Sequence, residues 1–218
     1  MIKLTEETLE QNYNTLLSIV NKYITGERKD KVLSMIEKMG EEFLLAPASG
    51  KNWYHGAYPG GFLIHTINVA RFAIKLTDFY RKAGGNIDFT DEELIFSALF
   101  HDLGKLGDGD KANFLVQNDD WRRKNLGECY VNNPDLDFML VPDRSLFILQ
   151  KFGITVDQKE WLAIKLHDGM FDEANKAYYV SYRPESKLKT NLVPILHAAD
   201  YLAAKVELDR EIENSQEN

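Results

Sequence analysis

The chain has 218 residues with a formal net charge of −8, and it is 44% hydrophobic, 11% aromatic and 28% charged. These proportions are those of a folded domain and exclude a disordered or fibrous protein, while the acidic excess excludes bulk binding of nucleic acid. Cys129 is the single cysteine, which excludes an intramolecular disulfide and a thiolate zinc site; without a signal-type run or a membrane-length apolar stretch, we expect a cytoplasmic protein that does not enter membranes.

The first hundred residues have the pattern of helices. Apolar positions at helical spacing predict helices at residues 6–24 and 32–43, the second ending at the Pro- and Gly-containing break at 46–50. A buried helix is predicted from residue 61 to residue 80. The next helix, at residues 90–101, starts with the Thr and Glu of a capping box.

The second half contains the least periodic segment. Residues 107–141 are rich in Asp and Asn, which favours turns, and indicate an irregular insert with a short hairpin near Tyr130. Residues 172–191 are predicted to form a loop. Helical patterns return in three segments, 145–152, 158–166 and 192–207. Since strict alternation is almost absent, the predicted fold class is an all-α bundle of at least six helices.

The histidines are the first candidates for chemistry. There are five, His55, His65, His101, His167 and His197, and each lies near a helix end or within an apolar helix. A buried imidazole needs partners for its nitrogens, and several on different helices of a bundle can converge on one point.

The strongest local signal is His101-Asp102, at the end of an apolar helix and followed by Gly104 and Lys105. Neighbouring side chains diverge by about 100° on a continuing helix, but at a helix end the backbone can turn both toward one cation. Imidazole with carboxylate suits Zn, Mn, Fe or Co. The alternative is a capped helix end with a solvated Asp.

Two further signals involve His65 and His197. His197 and Asp200 are spaced i, i+3 and share a helical face, and Asp200 lies among apolar residues, which is costly unless it is paired or bound to metal. His197 is equally readable as a ligand or as a residue that hydrogen-bonds one. Gly60 and Gly61 form a turn that leads into the helix carrying His65.

These motifs, taken in chain order, carry a family resemblance. The segments GGFLIHT, HDLGK, LHDG and HAADYLAAK resemble the HD-domain metal-dependent phosphohydrolase superfamily over about residues 40–207. The run from Ala46 to Thr66 is most similar to the HD part of certain bacterial 3'-to-5' exoribonucleases. The resemblance implies an HD-domain helical bundle at residues 41–210, with an N-terminal helical extension at 1–40 that packs on it and a polar tail at 211–218.

The resemblance also implies roles for individual residues. One divalent cation (Mn, Fe, Zn, Co, Ni or Mg) would be held by His65, His101, Asp102 and Asp200. The cation would activate water and polarise phosphorus. Phosphate would be held by Lys105 and Arg71, and proton transfer would be assisted by His167 or Asp168.

The chain departs from the family pattern at one position. Relatives with two metals carry a further histidine before the helix at 145, where this sequence has Val141 and Asp143. A second metal is therefore doubtful, and so is an oxygenase reading that needs two irons.

Several residues keep two readings. His55 is a substrate contact or a surface residue, His197 a substrate contact or a core residue, Lys105 a phosphate ligand or a helix-end cation, and Arg71 a phosphate clamp or half of an ion pair. Lys205 and Glu207 are expected on a solvated face.

The sequence thus predicts a metal-dependent phosphohydrolase of a nucleotide or a short nucleic-acid end. The acidic balance favours a small phosphoester substrate. The alternative is a nucleotide-binding or regulatory module that keeps the scaffold with little or no turnover. The sequence is also compatible with a homo-oligomer and does not determine the oligomeric state.

Overall fold

The computed structural model describes residues 3–181 and 183–216. In this part the chain forms ten α-helices, several 3-10 turns and one two-stranded sheet, which confirms the all-α prediction. The helices are α1 (Glu6–Tyr23), α2 (Gly26–Lys38), α3 (Gly40–Leu45), α4 (Gly61–Lys82), α5 (Asp91–Phe100), α6 (Asp120–Leu126), α7 (Val141–Lys151), α8 (Gln158–Leu166), α9 (Lys176–Tyr179) and α10 (Leu192–Gln216).

Four helices form the centre of the bundle. The longest shared surface joins α4 to α10, and α5 packs against α4 and α8, which also contacts α10. Seven consecutive residues of α5, from Leu94 to Phe100, are buried, so this helix runs through the centre of the bundle. The capping box of Thr90 and Glu93 fixes its start, and its far end delivers His101.

The N-terminal helices cover one side of this core. Thr5 caps α1 by accepting a hydrogen bond from the Thr8 amide, and α1 buries Leu16 and Val20. The helix predicted at 32–43 is interrupted at Met39, whose ψ of 26° departs from helical geometry, so that α2 and α3 are separate helices.

The irregular insert contains a small sheet. Strand β1 (Phe114–Val116) pairs antiparallel with β2 (Tyr130–Asn132), and α6 lies between them in the chain. A short hairpin was predicted near Tyr130, and a pair of strands forms there. Because α6 lies in the connection, the two strands are not joined by a tight turn. The Cys129 and Tyr130 amides both donate to the Gly50 carbonyl, so the insert is joined to the loop that precedes α4.

Other segments also differ from the sequence-based expectation, among them α2, which begins at Gly26 rather than at 32. Helix α7 begins at Val141 rather than at 145, because Pro142 is favourable in a first turn. Helix α10 continues to Gln216 instead of ending at 207; residues 217–218 of the predicted tail lie outside the described residues. The predicted loop at 172–191 contains 3-10 turns and α9. Within the described ranges, no helix combines the length and apolar character needed to cross a bilayer.

Candidate metal centre

All of the predicted site residues except Arg71 lie at or directly behind one cleft of about 250 Å³, at the ends of α5 and α8 and beside α10. The walls are built by side chains from both halves of the chain, namely His55, Asp102, Lys105, Val141, His167, Asp168, Phe171, His197, Asp200, Tyr201 and Ala204. His65 and His101 lie fully buried behind this wall.

His65 is held between two carboxylates. Its Nδ1 lies 3.0 Å from Oε2 of Glu207, and its Nε2 lies 3.0 Å from Oδ1 of Asp200. The second contact is misaligned for a hydrogen bond, so Nε2 has no hydrogen-bond partner. Burial alone would lower the pKa of His65, but the charge of Glu207 and the contact with Asp200 outweigh it and raise the pKa to about 9. The pocket around His65 therefore favours positive charge.

His101 is oriented by its own helix. Its Nδ1 donates to the Ala98 carbonyl at 2.9 Å, because a carbonyl oxygen can only accept. Its Nε2 lies 3.5 Å from Oδ2 of Asp102 and 3.7 Å from Oδ1 of Asp200. Burial would lower the pKa of His101, yet the two aspartates raise it to about 10.

The turn after His101 is fastened to α7. The hydroxyl of Ser145 accepts from the Gly104 amide at 2.8 Å and lies 2.8 Å from the His101 carbonyl. A Cβ on Gly104 would come within 2.3 Å of the Val141 carbonyl, so only glycine permits this approach. Because these hydrogen bonds hold the turn, the adjacent side chains of His101 and Asp102 can both point into the candidate cation site.

The donor set suits a divalent cation. In His65 and His101 the Nδ1 proton is donated to Glu207 and to the Ala98 carbonyl, so Nε2 is the nitrogen that would release its proton and offer a lone pair to a metal. Both Nε2 atoms are buried without a hydrogen-bond partner and face Asp102 and Asp200. Two imidazole nitrogens with two carboxylates match Mn, Fe, Co, Ni or Zn better than Ca.

His167 approaches Oδ1 of Asp102, whereas His65, His101 and Lys105 approach Oδ2. Its Nδ1 donates to the Ile164 carbonyl at 2.8 Å, and its Nε2 lies 3.4 Å from Oδ1 of Asp102 and 3.6 Å from Oδ2 of Asp168. Together with His101 and Asp200 it forms a second close group of possible ligand atoms. Val141 lines the cleft, while Asp143 pairs with Lys165 at 2.6 Å.

Lys105 is the cation of the cleft wall. Its Nζ lies 2.6 Å from Oδ2 of Asp102. Burial would raise the pKa of Asp102, but Lys105 and His101 hold it well below its usual range. Three aspartates, Asp102, Asp168 and Asp200, line the cleft together with Lys105, and a bound divalent cation would offset their repulsion of a phosphate.

His55 and His197 both line the cleft. The ring of His55 lies 4.4 Å from that of His65. Burial, followed by the nearby charges of His65 and Lys105, lowers the pKa of His55 to about 3, so it stays neutral. His197 donates from Nδ1 to the His167 carbonyl at 2.6 Å. This hydrogen bond holds the backbone of His167.

Arg71 does not reach the cleft. It is exposed, its Nη1 lies 3.4 Å from Oδ1 of Asn68, and it is not among the residues of the wall. Arg71 lies six residues after His65, a rotation of about 600° around the helix axis. This is one full turn plus about two thirds of a turn, so Arg71 and His65 are on different faces of α4. The predicted phosphate clamp is therefore wrong for this geometry.

Glu207 is the functional residue that the sequence analysis missed. It was expected on a solvated face, but it is 7% exposed, and besides His65 it contacts Asn68, whose Nδ2 donates to Oε1 at 2.8 Å. The signal was its position seven residues after Asp200, two turns along the same helical face. Glu211, one further turn on, accepts from the Gly56 amide at 2.9 Å.

Comparison with known proteins agrees with this geometry. The family model described as HD domain matches residues 62–205. A protein named dihydroneopterin 2',3'-cyclic phosphate phosphodiesterase, from Methanocaldococcus jannaschii, is 40% identical over 60 residues, which cover 28% of this chain and 23% of the relative. The chain thus spans less than a quarter of that relative, and no solved structure matches at a significant level. With its paired His-Asp turn, its distal aspartate and a family match over most of its length, the chain belongs to the HD-domain family.

Proposed function

We propose that the chain is a metal-dependent phosphohydrolase that cleaves a phosphoester or phosphoanhydride bond of a nucleotide or a similarly small phosphoester. The observation that carries the proposal is the pair of orphaned Nε2 atoms, on His65 and His101, that face Asp102 and Asp200 beside Lys105. A metal site and an ammonium group that can bind phosphate would thus share one cleft.

The size and charge of the cleft favour a small substrate. Its volume of about 250 Å³ lies just below the usual range of ligand clefts, which is roughly 300–1,000 Å³. The net charge of −8 provides no bulk field for a polymer of phosphates. The name of the M. jannaschii relative states a cyclic phosphate diester of a small molecule, which supports the same class of substrate.

His65, His101, Asp102 and Asp200 would hold the cation. When bound, such a cation supplies Lewis acidity toward the phosphoryl oxygen and lowers the pKa of a water ligand. His65 is kept in the required tautomer by Glu207, and His101 by the Ala98 carbonyl. Both supports exist in the fold before any ligand arrives.

Phosphate binding and proton transfer are carried out by Lys105 and His167. The Lys105 ammonium attracts a nonbridging phosphate oxygen and balances the charge that the aspartates create. His167 accepts a proton at Nε2, since its Nδ1 proton is committed to the Ile164 carbonyl. Asp168 lies 3.6 Å from that nitrogen and has a side chain that is 42% exposed, so it can pass the proton to solvent.

The test is turnover by the Mn-loaded protein on p-nitrophenyl phosphate, bis(p-nitrophenyl) phosphate, 2',3'-cyclic AMP, AMP and ATP. We expect Asp102→Asn to lose at least about 100-fold in kcat/KM, since it removes a ligand and the partner of Lys105. Asp143→Asn is the matched control, because Asp143 pairs with Lys165 outside the cleft wall, and it should keep most of the activity.

Three results would contradict the proposal. Equal losses in the two variants would show that the effect is structural. Stoichiometric metal without turnover on any ester would favour the binding or regulatory module. A protein that takes up no Mn, Fe, Co, Ni or Zn would refute the cation site itself.

A further inference from the structure

Two aromatic rings stand at the outer end of the cleft. Phe171 is 80% exposed and Tyr201 is 44% exposed, and both line the cleft. Their ring centroids are 6.1 Å apart and their planes differ by 10°. A phenylalanine this exposed contributes little to the core, and two parallel rings offer an apolar surface of the shape that a planar ligand group needs.

The rings lie beside the charged end of the cleft. Tyr201 directly follows Asp200, and Phe171 comes three residues after Asp168. Asp102 and His167, at 3% and 1% exposure, form the deep end. The cleft therefore changes from a buried charged floor to an exposed aromatic rim within the reach of one small molecule.

The backbone before Phe171 is fixed. Gly169 has φ of +56°, and a Cβ there would come within 2.5 Å of Cε1 of His197. The buried side chain of Asn175 donates to the Gly169 carbonyl at 3.0 Å, and the His197 ring lies 6.4 Å from that of Phe171. Such a braced turn presents the Phe171 ring at low entropic cost.

We propose that Phe171 and Tyr201 form a stacking platform that binds the planar heterocycle of the substrate while its phosphate lies at the charged floor. This inference rests on the proposed function and specifies its substrate: a phosphoester with an aromatic base or a similar fused ring, in preference to a sugar phosphate. Stacking on aromatic side chains is tolerant of base identity, so the platform selects for a ring rather than for one particular base.

The probes are AMP, GMP, UMP and ribose 5-phosphate. The nucleotides share ribose and phosphate with the sugar ester and differ from it by the base. Binding to the full-length, Mn-loaded protein is measured by calorimetry. We expect at least one nucleotide to bind about ten-fold or more tightly than ribose 5-phosphate, as stacking of one base provides.

The variants are Phe171→Leu and Tyr201→Leu, with Phe138→Leu as the control. Phe138 is 88% exposed and is not part of the cleft wall. We expect the first two variants to remove most of the nucleotide advantage and to leave the affinity for ribose 5-phosphate unchanged, while the control changes neither.

Equal affinity of the wild-type protein for all four probes would overturn the platform, and so would the absence of nucleotide binding or an equal weakening of all four probes in Phe171→Leu. Product formed in the same samples is assayed separately, so that base-dependent affinity and turnover are distinguished. A base-dependent affinity without hydrolysis would refute the proposed function alone, whereas hydrolysis without base preference would refute the platform alone.

Discussion

Glu207 shows how one residue outside the predicted ligand set can control the centre. Its carboxylate accepts from Nδ1 of His65 and is itself held by Nδ2 of Asn68. An outer carboxylate of this kind fixes the tautomer and the orientation of a metal-binding imidazole and raises its basicity. The cation affinity of the centre should therefore depend on a residue that lies on the far side of His65.

We predict that Glu207→Ala weakens Mn affinity by about 10- to 100-fold. Glu207→Gln should lose less, because the amide oxygen can still accept the Nδ1 proton. Titration calorimetry measures both. Glu213→Gln is the control on the same helix, since Glu213 is exposed. Unchanged Mn affinity in the alanine variant would show that His65 needs no such support.

At the residue scale, the sequence could group side chains only where the signal was local. His101 with Asp102, and His197 with Asp200, are separated by one and three positions in the sequence, and the structure brings the predicted histidines and aspartates to one cleft. Ser145 and Glu207 were missed because their partners, Gly104 and His65, are 41 and 142 residues away. No local pattern contains such a contact.

At the scale of elements, the start of α4 depends on two glycines in contact. A Cβ on Gly61 would lie 2.2 Å from the Gly56 carbonyl oxygen, so the loop that carries His55 rests directly on the helix backbone. We predict that Gly61→Ala lowers the free energy of unfolding by about 1–3 kcal/mol, as other overpacking substitutions do.

Denaturant unfolding measures this change, and Gly40→Ala is its control. A Cβ on Gly40 meets only the Tyr13 hydroxyl, at an ordinary 3.7 Å, so this variant should be neutral or slightly stabilising because alanine favours helix. The opposite ranking of the two variants would contradict the close approach seen between Gly56 and Gly61.

A buried ion pair joins α2 to α8. Nη2 of Arg28 lies 2.7 Å from Oε1 of Glu160, whose side chain is fully buried, and the guanidinium covers the Phe96 ring at 3.5 Å. Glu160 also completes the capping box of α8 with Asp157. We predict that Glu160→Ala lowers the free energy of unfolding by about 2–4 kcal/mol, somewhat less than a fully buried pair would give, because Arg28 is 20% exposed.

The control for this prediction is on α2, the helix that carries Arg28. Glu27 pairs with Lys31 in an i, i+4 contact, and its side chain is 81% exposed, so Glu27→Ala should change the unfolding midpoint very little. Both variants are compared by urea denaturation monitored by circular dichroism. Similar losses in the two variants would mean that burial adds nothing to the Arg28 pair.

The starts of α5 and α8 were predicted correctly because their capping residues are local in sequence. Thr90 and Asp157 each accept from an amide three residues on, a signal that lies within one turn of sequence. The end of α10 was placed nine residues early, because its polar residues suggested a tail. Those residues include Glu211, whose contact with Gly56 comes from tertiary packing.

The whole molecule assembles the centre from distant parts of the chain. His65 lies on α4, His101 and Asp102 at the end of α5, and Asp200 on α10. A bound cation would therefore connect three helices that pack against one another through the core. Metal binding and folding should be thermodynamically linked, because the unfolded chain has no preformed site.

We predict that saturating Mn raises the melting temperature by about 5–10 °C. At 100-fold excess over Kd the linkage contributes about 2.7 kcal/mol, and each kcal/mol shifts the melting temperature of a chain this long by about 2–4 °C. The chelator EDTA should reverse the shift. Asp200→Asn should abolish it by removing a ligand, whereas Asp168→Asn should keep it, because Asp168 contacts His167 and not the four proposed ligands. A shift of equal size in both variants would place the cation elsewhere in the protein.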